Sequence, residues 1–185
     1  MGQYFRAVNA DNWECVEPHD YENGAKIMEH SFVDNNYVSA VEFLLIETEN
    51  KSGRWARKRI VWAGDYADEY MDITDNKGNK EKTNYFQLSE SVNLPLQNLI
   101  EKIGKNYKYI INWDKKEYVD KTKGPKINSM GRRFHPLPLL TCDNTEGMYL
   151  GNNPHLGSWF KNSISVSDKF PKTFKQLLPN FERDE

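Results

Sequence analysis

The side chains best suited to chemistry are histidines and carboxylates on either side of a central apolar stretch. His19 and Asp20 are adjacent, and Asp65 follows Arg59–Ala63. Imidazole and carboxylate groups bind divalent metals, so these three residues would support a metal-dependent hydrolase if folding brought them together. The spacing of known helical metal motifs is absent, however. We therefore expect the acids to be solvated or to cap helices, and we expect no metal or cofactor.

Thiol chemistry is a second candidate. Cys142 lies seven residues after His135. A nucleophilic Cys–His pair needs spatial proximity and an orienting group, and no family signature surrounds either cysteine. We therefore expect Cys142 to be a buried structural thiol. The chain also lacks a Gly-x-Ser-x-Gly motif and a phosphate-binding glycine loop, so a non-catalytic protein is the preferred interpretation.

The elements that would position these residues are strands mixed with a few short helices, which is an α+β fold. Tyr4–Glu17 and Tyr107–Asp120 each read as strand, Asn-x-Asp turn and strand, the pattern of a β-hairpin. Two prolines within Pro136–Thr141 remove backbone donors, so this segment is predicted to be extended or an edge strand. Helices are predicted over 25–32, 38–46 (with a capping box from Ser39) and 91–103, although the β-branched residues of 38–46 leave a strand as the alternative there. Strands are predicted over 59–63 and 163–166, and a short helix or turn around 174–178. Irregular chain is predicted over 66–75 and an exposed loop over 76–83.

Two pairs of segments match at almost the same offset. Residues 3–18 align with 106–121 at an offset of 103, and residues 53–60 align with 157–164 at an offset of 104. The matches include Tyr4 with Tyr107, Asn9 with Asn112, Asp11 with Asp114, Glu14 with Glu117, Trp55 with Trp159, and Arg57 with Lys161. The shared order predicts a duplication, although chance similarity between two hairpins and two Trp-led strands is the alternative.

The predicted organisation is one compact domain over 1–185. Its two pseudo-repeated halves, 3–75 and 106–178, would each contain a β-hairpin followed by a Gly-x-Trp-led strand. They would share one core and be joined by the loop and helix 76–105. Pockets favour junctions of this kind. The first hypothesis is therefore a binding protein for a small anionic ligand, with Trp55 and Trp159 stacking on it and Arg57 and Lys161 holding its charge. The alternative is that Trp55 and Ile60 pack in the shared core, because their counterparts recur in the second half.

Charge patterning suggests a second hypothesis. The net charge is only −2, but residues 1–50 carry ten acids against two bases, a balance of −8. An acidic face could block a basic, nucleic-acid-binding surface on a partner protein, as expected of a phage-encoded, anti-CRISPR-like inhibitor of a host defence nuclease. Direct nucleic-acid binding through the basic, aromatic stretch 105–118 is the weaker alternative. The candidate partner-binding residues are Glu17, Asp20, Glu22, Asp65, Asp68 and Glu69.

Composition bears on the compartment. No apolar run approaches the roughly 20 residues that a membrane helix needs, and the first residues contain no apolar signal-peptide core. Cys15 and Cys142 are the only two cysteines. We therefore expect a cytoplasmic protein with free thiols and no membrane partner.

The chain contains the segments Val8-Asn9-Ala10-Asp11, Glu14-x-Val16-x-Pro18-His19, Asn23-Gly24-Ala25-Lys26-x-Met28-Glu29, Gly53-Arg54-Trp55-Ala56, Ile60–Asp68, His135–Thr141 and Gly157-x-Trp159. With these segments, most of the chain resembles a family of small uncharacterised bacterial and phage proteins. It implies no activity, because none is assigned to that family. Lys58 stands where the family pattern has a carboxylate, which argues against an acidic site at that point.

Overall fold

The computed structural model describes residues 3–67, 71–74, 77–92, 107–124, 126–127, 131–143 and 153–181. Within these ranges the protein is α+β, as the sequence predicts. The predicted helix over 91–103 lies outside the described residues from position 93 onward. The described helices are a 3-10 helix at Pro18–Tyr21 and four short α-helices, α1 (Ile27–His30), α2 (Asn36–Leu45), α3 (Tyr85–Leu88) and α4 (Pro136–Thr141).

The strands of the described residues form one large sheet and three two-stranded ribbons. The eight-stranded sheet has the order β14-β10-β9-β13-β5-β1-β2-β8, and the ribbons are β3–β4, β6–β7 and β11–β12. The strands are β1 (Phe5–Asn9), β2 (Glu14–Val16), β3 (Glu47–Thr48), β4 (Lys51–Ser52), β5 (Lys58–Gly64), β6 (Met71–Thr74), β7 (Lys80–Thr83), β8 (Glu90–Ser91), β9 (Tyr109–Asn112), β10 (Glu117–Asp120), β11 (Lys126–Ile127), β12 (Arg132–Arg133), β13 (Asn162–Ser167) and β14 (Lys175–Gln176).

The centre of the sheet is the antiparallel pair β5 and β13, in which Ile60 lies opposite Asn162. On one side of this pair lie the hairpin β1–β2 and the short parallel strand β8; we call β5, β1, β2 and β8 the N-terminal sheet half. On the other side lie the hairpin β9–β10 and the short parallel strand β14, which with β13 form the C-terminal sheet half. Both predicted hairpins and both predicted central strands are therefore confirmed.

The main core lies between the inner face of the sheet and the helices α2 and α4. Alternation along each strand sends Ile60 and Trp62 of β5, and Ile164 and Val166 of β13, to this inner face, where all four are fully buried. The intervening residues point to the opposite side, which we call the outer face. In the N-terminal sheet half, α3 packs on the outer face and completes a second, smaller core.

Helix α2 confirms a predicted helix, but it begins two residues earlier than predicted. The predicted helix spanned 38–46, and the observed helix is Asn36–Leu45. The side chain of Asn35 accepts a hydrogen bond from the backbone N–H of Val38 at 3.1 Å, so Asn35 is the N-cap. The expected capping box at Ser39 is wrong, because Ser39 lies inside the helix and is buried.

The largest error of the sequence prediction is at Pro136–Thr141, which is helix α4 and not an extended segment. The first four N–H groups of a helix have no partner within it. Pro136 and Pro138 occupy the first turn of this six-residue helix, where the missing donors cost nothing. His135 precedes the helix, and its Nδ1 accepts from the N–H of Leu137 at 3.3 Å.

Two other segments also differ from the prediction. β6 and β7 pair as an antiparallel ribbon where irregular chain and a loop were predicted. The described side chains of this ribbon are mostly exposed and charged, so no apolar alternation marks it. Near the C-terminus, β14 adds in parallel to β10 where a short helix or turn was predicted.

Candidate functional site

The two tryptophans predicted to stack on a ligand are structural. Trp55 and Trp159 are both fully buried. Each donates its indole N–H to the carboxylate of a glutamate in the hairpin of its own sheet half, Trp55 to Glu14 at 2.7 Å and Trp159 to Glu117 at 2.9 Å. Neither ring is available to a ligand, which corrects the expectation of a Trp-lined groove between the halves.

The matched asparagines and aspartates are also structural. In the first hairpin turn, the backbone N–H of Asp11 donates to the Asn9 side chain at 3.0 Å, and an Asp11 carboxylate oxygen accepts the N–H of Arg59 at 3.0 Å. In the second hairpin turn, the corresponding bonds link Asp114 to Asn112 at 3.1 Å and Ser163 to Asp114 at 2.8 Å. Each turn therefore positions the central strand beside it.

Arg57 and Lys161 have the same backbone setting but different surroundings. Both have left-handed backbones, with φ of 58° and 57°. The N–H of Arg57 donates to the carbonyl of Ile164 at 2.9 Å, and the N–H of Lys161 donates to that of Ile60 at 3.2 Å. Their side chains reach opposite sheet halves: the Arg57 guanidinium lies 3.7 Å from the ring centroid of Trp113, whereas the Lys161 ammonium lies 5.4 Å from that of Tyr85.

The Arg57 side chain borders a cleft of about 760 Å³, which we call the outer cleft. Its floor is the outer face of the C-terminal sheet half, and its walls are the β3–β4 ribbon and the chain that leaves β13. The lining residues are Glu47, Thr48, Glu49, Asn50, Arg57, Tyr107, Ile111, Trp113, Ser167, Asp168, Lys169, Phe170 and Pro171. The cleft brings together aromatic rings, small polar groups and charges of both signs.

The outer cleft exists because the two outer faces are covered differently. In the N-terminal sheet half, residues 65–89 connect β5 to β8 and include α3. Tyr85 of α3 is buried against Val8, Ala10, Val61 and neighbouring residues. In the C-terminal sheet half, only residues 168–174 connect β13 to β14. That connection contains no helix, so Ile111, Trp113 and Ser167 line an open cleft.

The aromatic part of the cleft is ordered by contacts within the chain. Trp113 donates its indole N–H to the Ser165 hydroxyl at 2.8 Å and meets Phe174 edge-on, with ring centroids 5.3 Å apart. Phe170 stacks on Tyr118 at 4.3 Å between ring centroids and is still 38% exposed. These contacts hold apolar surface at the cleft in fixed positions, which is a requirement for specific binding.

The charges of the cleft are largely paired. Arg57 forms an ion pair with Glu47 at 2.5 Å, and Lys169 forms one with Glu49 at 3.0 Å. The hydrogen bond to Glu49 raises the pKa of Lys169, so Lys169 stays protonated. With Asp168, the lining carries three acids and two bases, a balance of −1. This balance does not favour the small anionic ligand that the sequence suggested.

The predicted partner-binding acids lie in different settings. Glu17 forms an ion pair with Arg6, and an Asp65 carboxylate oxygen accepts the backbone N–H of Tyr4 at 2.8 Å. Asp20 and Glu22 are exposed at the 3-10 helix. Asp68 and Glu69 lie outside the described residues. Of the ten acids in residues 1–50, six are ion-paired within the chain: Asp11, Glu14, Glu17, Glu42, Glu47 and Glu49.

The metal and thiol candidates are not assembled into sites. Among the residues that the structure describes, no group of three or more His, Cys, Asp or Glu side chains could hold a metal ion. His19 is exposed on the 3-10 helix. Cys142 is buried, as predicted, and burial raises the pKa of its thiol to about 12, so it is a poor nucleophile at neutral pH.

Sequence reasoning missed a buried charged cluster on the inner side of the sheet. The Glu42 carboxylate lies 2.6 Å from the Lys121 ammonium and 3.0 Å from Nε2 of His135, and all three side chains are at most 2% exposed. Burial raises the pKa of Glu42, but Lys121 and His135 outweigh that effect and the net pKa is lowered. Burial lowers the pKa of His135 despite Glu42. The available signal was an acid at position 42 on the apolar face of a predicted helix.

The fold and the outer cleft together define an α+β protein with one face of its central sheet partly uncovered. Comparison of the chain with family models, with curated proteins and with solved structures finds no match in any of the three. In the described part of the chain, no helix has both the length and the apolarity needed to span a membrane.

Proposed function

We propose that this is a non-catalytic binding protein and that the outer cleft is its ligand site. The observation that carries the proposal is the uncovered outer face of the C-terminal sheet half, where Trp113, Tyr107 and Phe170 border a cleft of about 760 Å³. That volume falls within the range of small-molecule and peptide sites. Aromatic groups held in a concave setting are the usual anchors of binding sites.

We also propose that the chain arose by duplication of a unit made of a hairpin, a helix, a central strand and a parallel edge strand. Support comes from the sheet order, in which the same series of strands runs outward from β5 and from β13. Matched residues also make the same hydrogen bonds in both halves: a tryptophan indole N–H to a hairpin glutamate, and a central-strand N–H to a hairpin aspartate. Under this proposal the binding site is the outer face that α3 covers in the N-terminal copy and that no corresponding helix of the described residues covers in the C-terminal copy, either because that helix was lost or because it was never gained.

The lining chemistry suggests a neutral or cationic ligand with an apolar ring or side chain. Both bases of the cleft already have carboxylate partners, so an anion would have to displace Glu47 or Glu49. Desolvating a charge without a new partner is unfavourable. The exposed part of Phe170 and the ring of Trp113 offer apolar contact instead.

The indole N–H signals of the five tryptophans provide a direct test. In ¹⁵N-labelled protein we expect ligands from a mixed library of aromatic amines, nucleosides and short peptides to shift the Trp113 signal, because that ring borders the cleft. The signals of the buried Trp55 and Trp159 should not move, and they serve as internal controls. Failure of every compound to shift Trp113, or hits that shift only other signals, would overturn the proposal.

A filling variant makes the test specific. Thr48 lies on the wall of the cleft and is partly exposed. Thr48→Trp should abolish the Trp113 response to any hit. Thr74→Trp, an exposed strand position on the β6–β7 ribbon, is the matched control and should leave it intact. Loss of response in both variants would point to unfolding and is checked by circular dichroism.

A further inference from the structure

The N-terminal sheet half shows how its own outer face is covered. Helix α3 begins at Asn84, whose side chain accepts the N–H of Gln87 at 3.0 Å and donates to the carbonyl of Ala67 at 3.0 Å. Tyr85 is 3% exposed, and the ring of Trp13 stacks on it with centroids 5.5 Å apart. The next residue, Phe86, lies under the guanidinium of Arg6, 4.3 Å from the ring centroid. One helical turn with two adjacent aromatic residues thus completes this half.

The outer cleft is lined by residues at the positions that correspond to those contacting α3, but no such helix in the described part of the chain covers them. By the offsets of 103 and 104, Ile111 corresponds to Val8, Trp113 to Ala10, Ser167 to Ala63 and Arg57 to Lys161. Val8, Ala10 and Ala63 belong to the small core around Tyr85, and Lys161 lies over its ring. Their four counterparts all line the cleft. The cleft therefore overlaps the position that α3 takes in the other half.

The residue differences at these matched positions indicate which groups a molecule bound in the outer cleft must supply. Trp113 already places a ring under Arg57, as Tyr85 does under Lys161. What the C-terminal half lacks is the body of the helix and its second aromatic side chain, which would contact Tyr107, Trp113 and Phe170 at the cleft. The balance of −1 along the lining favours a basic residue beside that aromatic side chain.

We propose that the outer cleft binds one helical turn of a partner protein, with an aromatic residue at the position equivalent to Phe86 and a neighbouring lysine or arginine. The inference rests on the proposed function, since it names the occupant of that same site. The cleft lies on the face of the sheet and not along its edge, so strand addition would not fill it, whereas a helix laid on its apolar side would. The segment Lys82–Leu88 of this chain has the required chemistry, with Lys82 followed by Tyr85 and Phe86.

The probe is a blocked, fluorescein-labelled peptide with the sequence of residues 80–91, used in linear form and with a lactam bridge that fixes the helical turn. Because an isolated short helix is unfavourable in water, the bridged peptide should bind about tenfold more tightly than the linear one. Replacing both aromatic residues of the peptide by alanine should weaken binding by at least about tenfold. Fluorescence anisotropy at physiological salt measures each affinity.

Variants of the full chain assign the binding to the cleft. Thr48→Trp should lower peptide affinity by about tenfold or more, and Thr74→Trp should leave it unchanged. Binding that survives Thr48→Trp, or that does not depend on the aromatic residues, would overturn the inference. Absence of binding by the bridged peptide would overturn it as well.

Two further outcomes separate this inference from the proposed function. If small aromatic ligands shift the Trp113 indole signal while the bridged peptide does not bind, the cleft is a small-molecule site and only the helical occupant is rejected. If sedimentation shows concentration-dependent dimers that Thr48→Trp abolishes, the occupant is a second copy of this chain, and the partner-protein inference is rejected. If no probe of any kind shifts Trp113, both proposals fail together.

Discussion

The two sheet halves share a framework and differ in what lies on it. Each has a hairpin with an Asn-x-Asp turn, a buried Trp bonded to a hairpin glutamate, and a short parallel edge strand. In the N-terminal half, residues 65–89 connect β5 to β8, and α3 within this connection covers the outer face, whereas residues 168–174 make the corresponding connection in the C-terminal half. The common residues therefore explain folding, and the difference between the connections identifies the surface open to a ligand.

A second difference lies on the inner side of the sheet, where the halves are joined. Glu42 comes from the first half, and its partners Lys121 and His135 come from the second. No counterpart of this cluster occurs at the matched positions, since Pro18 stands at the position that corresponds to Lys121 at the offset of 103. The cluster ties the two halves together and does not belong to the shared framework.

Breaking the Glu42–Lys121–His135 cluster should cause the largest loss of stability among these predictions. Glu42→Ala leaves the Lys121 ammonium buried without its carboxylate partner, and removing one member of a buried ion pair costs about 3–5 kcal/mol. That is a large part of the stability of an ordinary domain. Guanidinium chloride unfolding should show the midpoint falling with little change in slope.

The double variant Glu42→Leu with Lys121→Met is the control for this prediction. It replaces both charges by apolar groups of similar size, and such replacements are often neutral or stabilising. Recovery of most of the lost stability would confirm that the cost in Glu42→Ala comes from an uncompensated charge. A double variant as unstable as the single one would show that packing around α2, or the His135 imidazole left without Glu42, is responsible instead.

The next largest expected effect is a loss of stability at low pH, which arises from a histidine in the N-terminal half. His30 lies in the core of the N-terminal half, where its Nδ1 accepts the indole N–H of Trp62 at 2.9 Å. Val166 stands at the position that corresponds to Trp62 at the offset of 104, so the other half has no such partner. Burial lowers the pKa of His30 from 6.5 to about 4. The unfolded chain therefore binds the proton first, and stability is full above pH 6.5 and falls as the pH drops towards 4.

The expected loss from His30 is about 3 kcal/mol between pH 7 and pH 4. His30→Gln offers Trp62 a neutral acceptor and should flatten the dependence of unfolding free energy on pH in this window. His135, whose pKa burial also lowers, should supply a remaining slope of the same sign. An unchanged slope in His30→Gln would refute the assignment to His30.

Removing the shared tryptophan–glutamate bond should have a moderate effect of equal size in the two halves. Trp55→Phe and Trp159→Phe each delete the donor to a glutamate, Glu14 or Glu117, and leave a small cavity. We expect a loss of about 1–3 kcal/mol for each. Thermal unfolding of both variants would measure it. A several-fold difference between the two costs would contradict the proposed equivalence of the halves.

Sequence patterns predicted the local elements and the features that the two halves share. They did not predict the features that depend on contacts between residues distant in sequence. The hairpins, the central strands and helix α2 follow from apolar alternation and turn chemistry. Helix α4 was missed because two prolines normally exclude a helix, and the sequence does not show that this helix begins at Pro136, which places both prolines in its first turn. Trp55 and Trp159 were misread as ligand contacts, because the sequence does not show that Glu14 and Glu117 bind their indole groups from inside the fold.

The outer cleft could not be predicted for the same reason. Tyr107 and Trp113 are close in sequence, but Arg57 and Phe170 lie far from them along the chain. Only the sheet order places these residues around one opening. Arg57 was singled out from its match with Lys161. Its partner Trp113 was considered only as part of a basic, aromatic stretch. A length comparison of the two connections, residues 65–89 against 168–174, is the feature that would have pointed to the uncovered face.

The smallest expected effect concerns Arg57 and Lys161 themselves. Each is paired with an aromatic ring, and Arg57→Ala and Lys161→Ala should each cost less than about 1 kcal/mol of stability. They should differ in what they uncover: Arg57→Ala exposes the face of Trp113 in the cleft, so the neutral quencher acrylamide should quench tryptophan fluorescence more strongly than in the parent protein. Lys161→Ala should leave quenching unchanged, because the ring beneath Lys161 is a buried tyrosine, Tyr85, and not a tryptophan. An equal increase in both variants would mean that the two outer faces are equally open, and the asymmetry on which the proposed site depends would be lost.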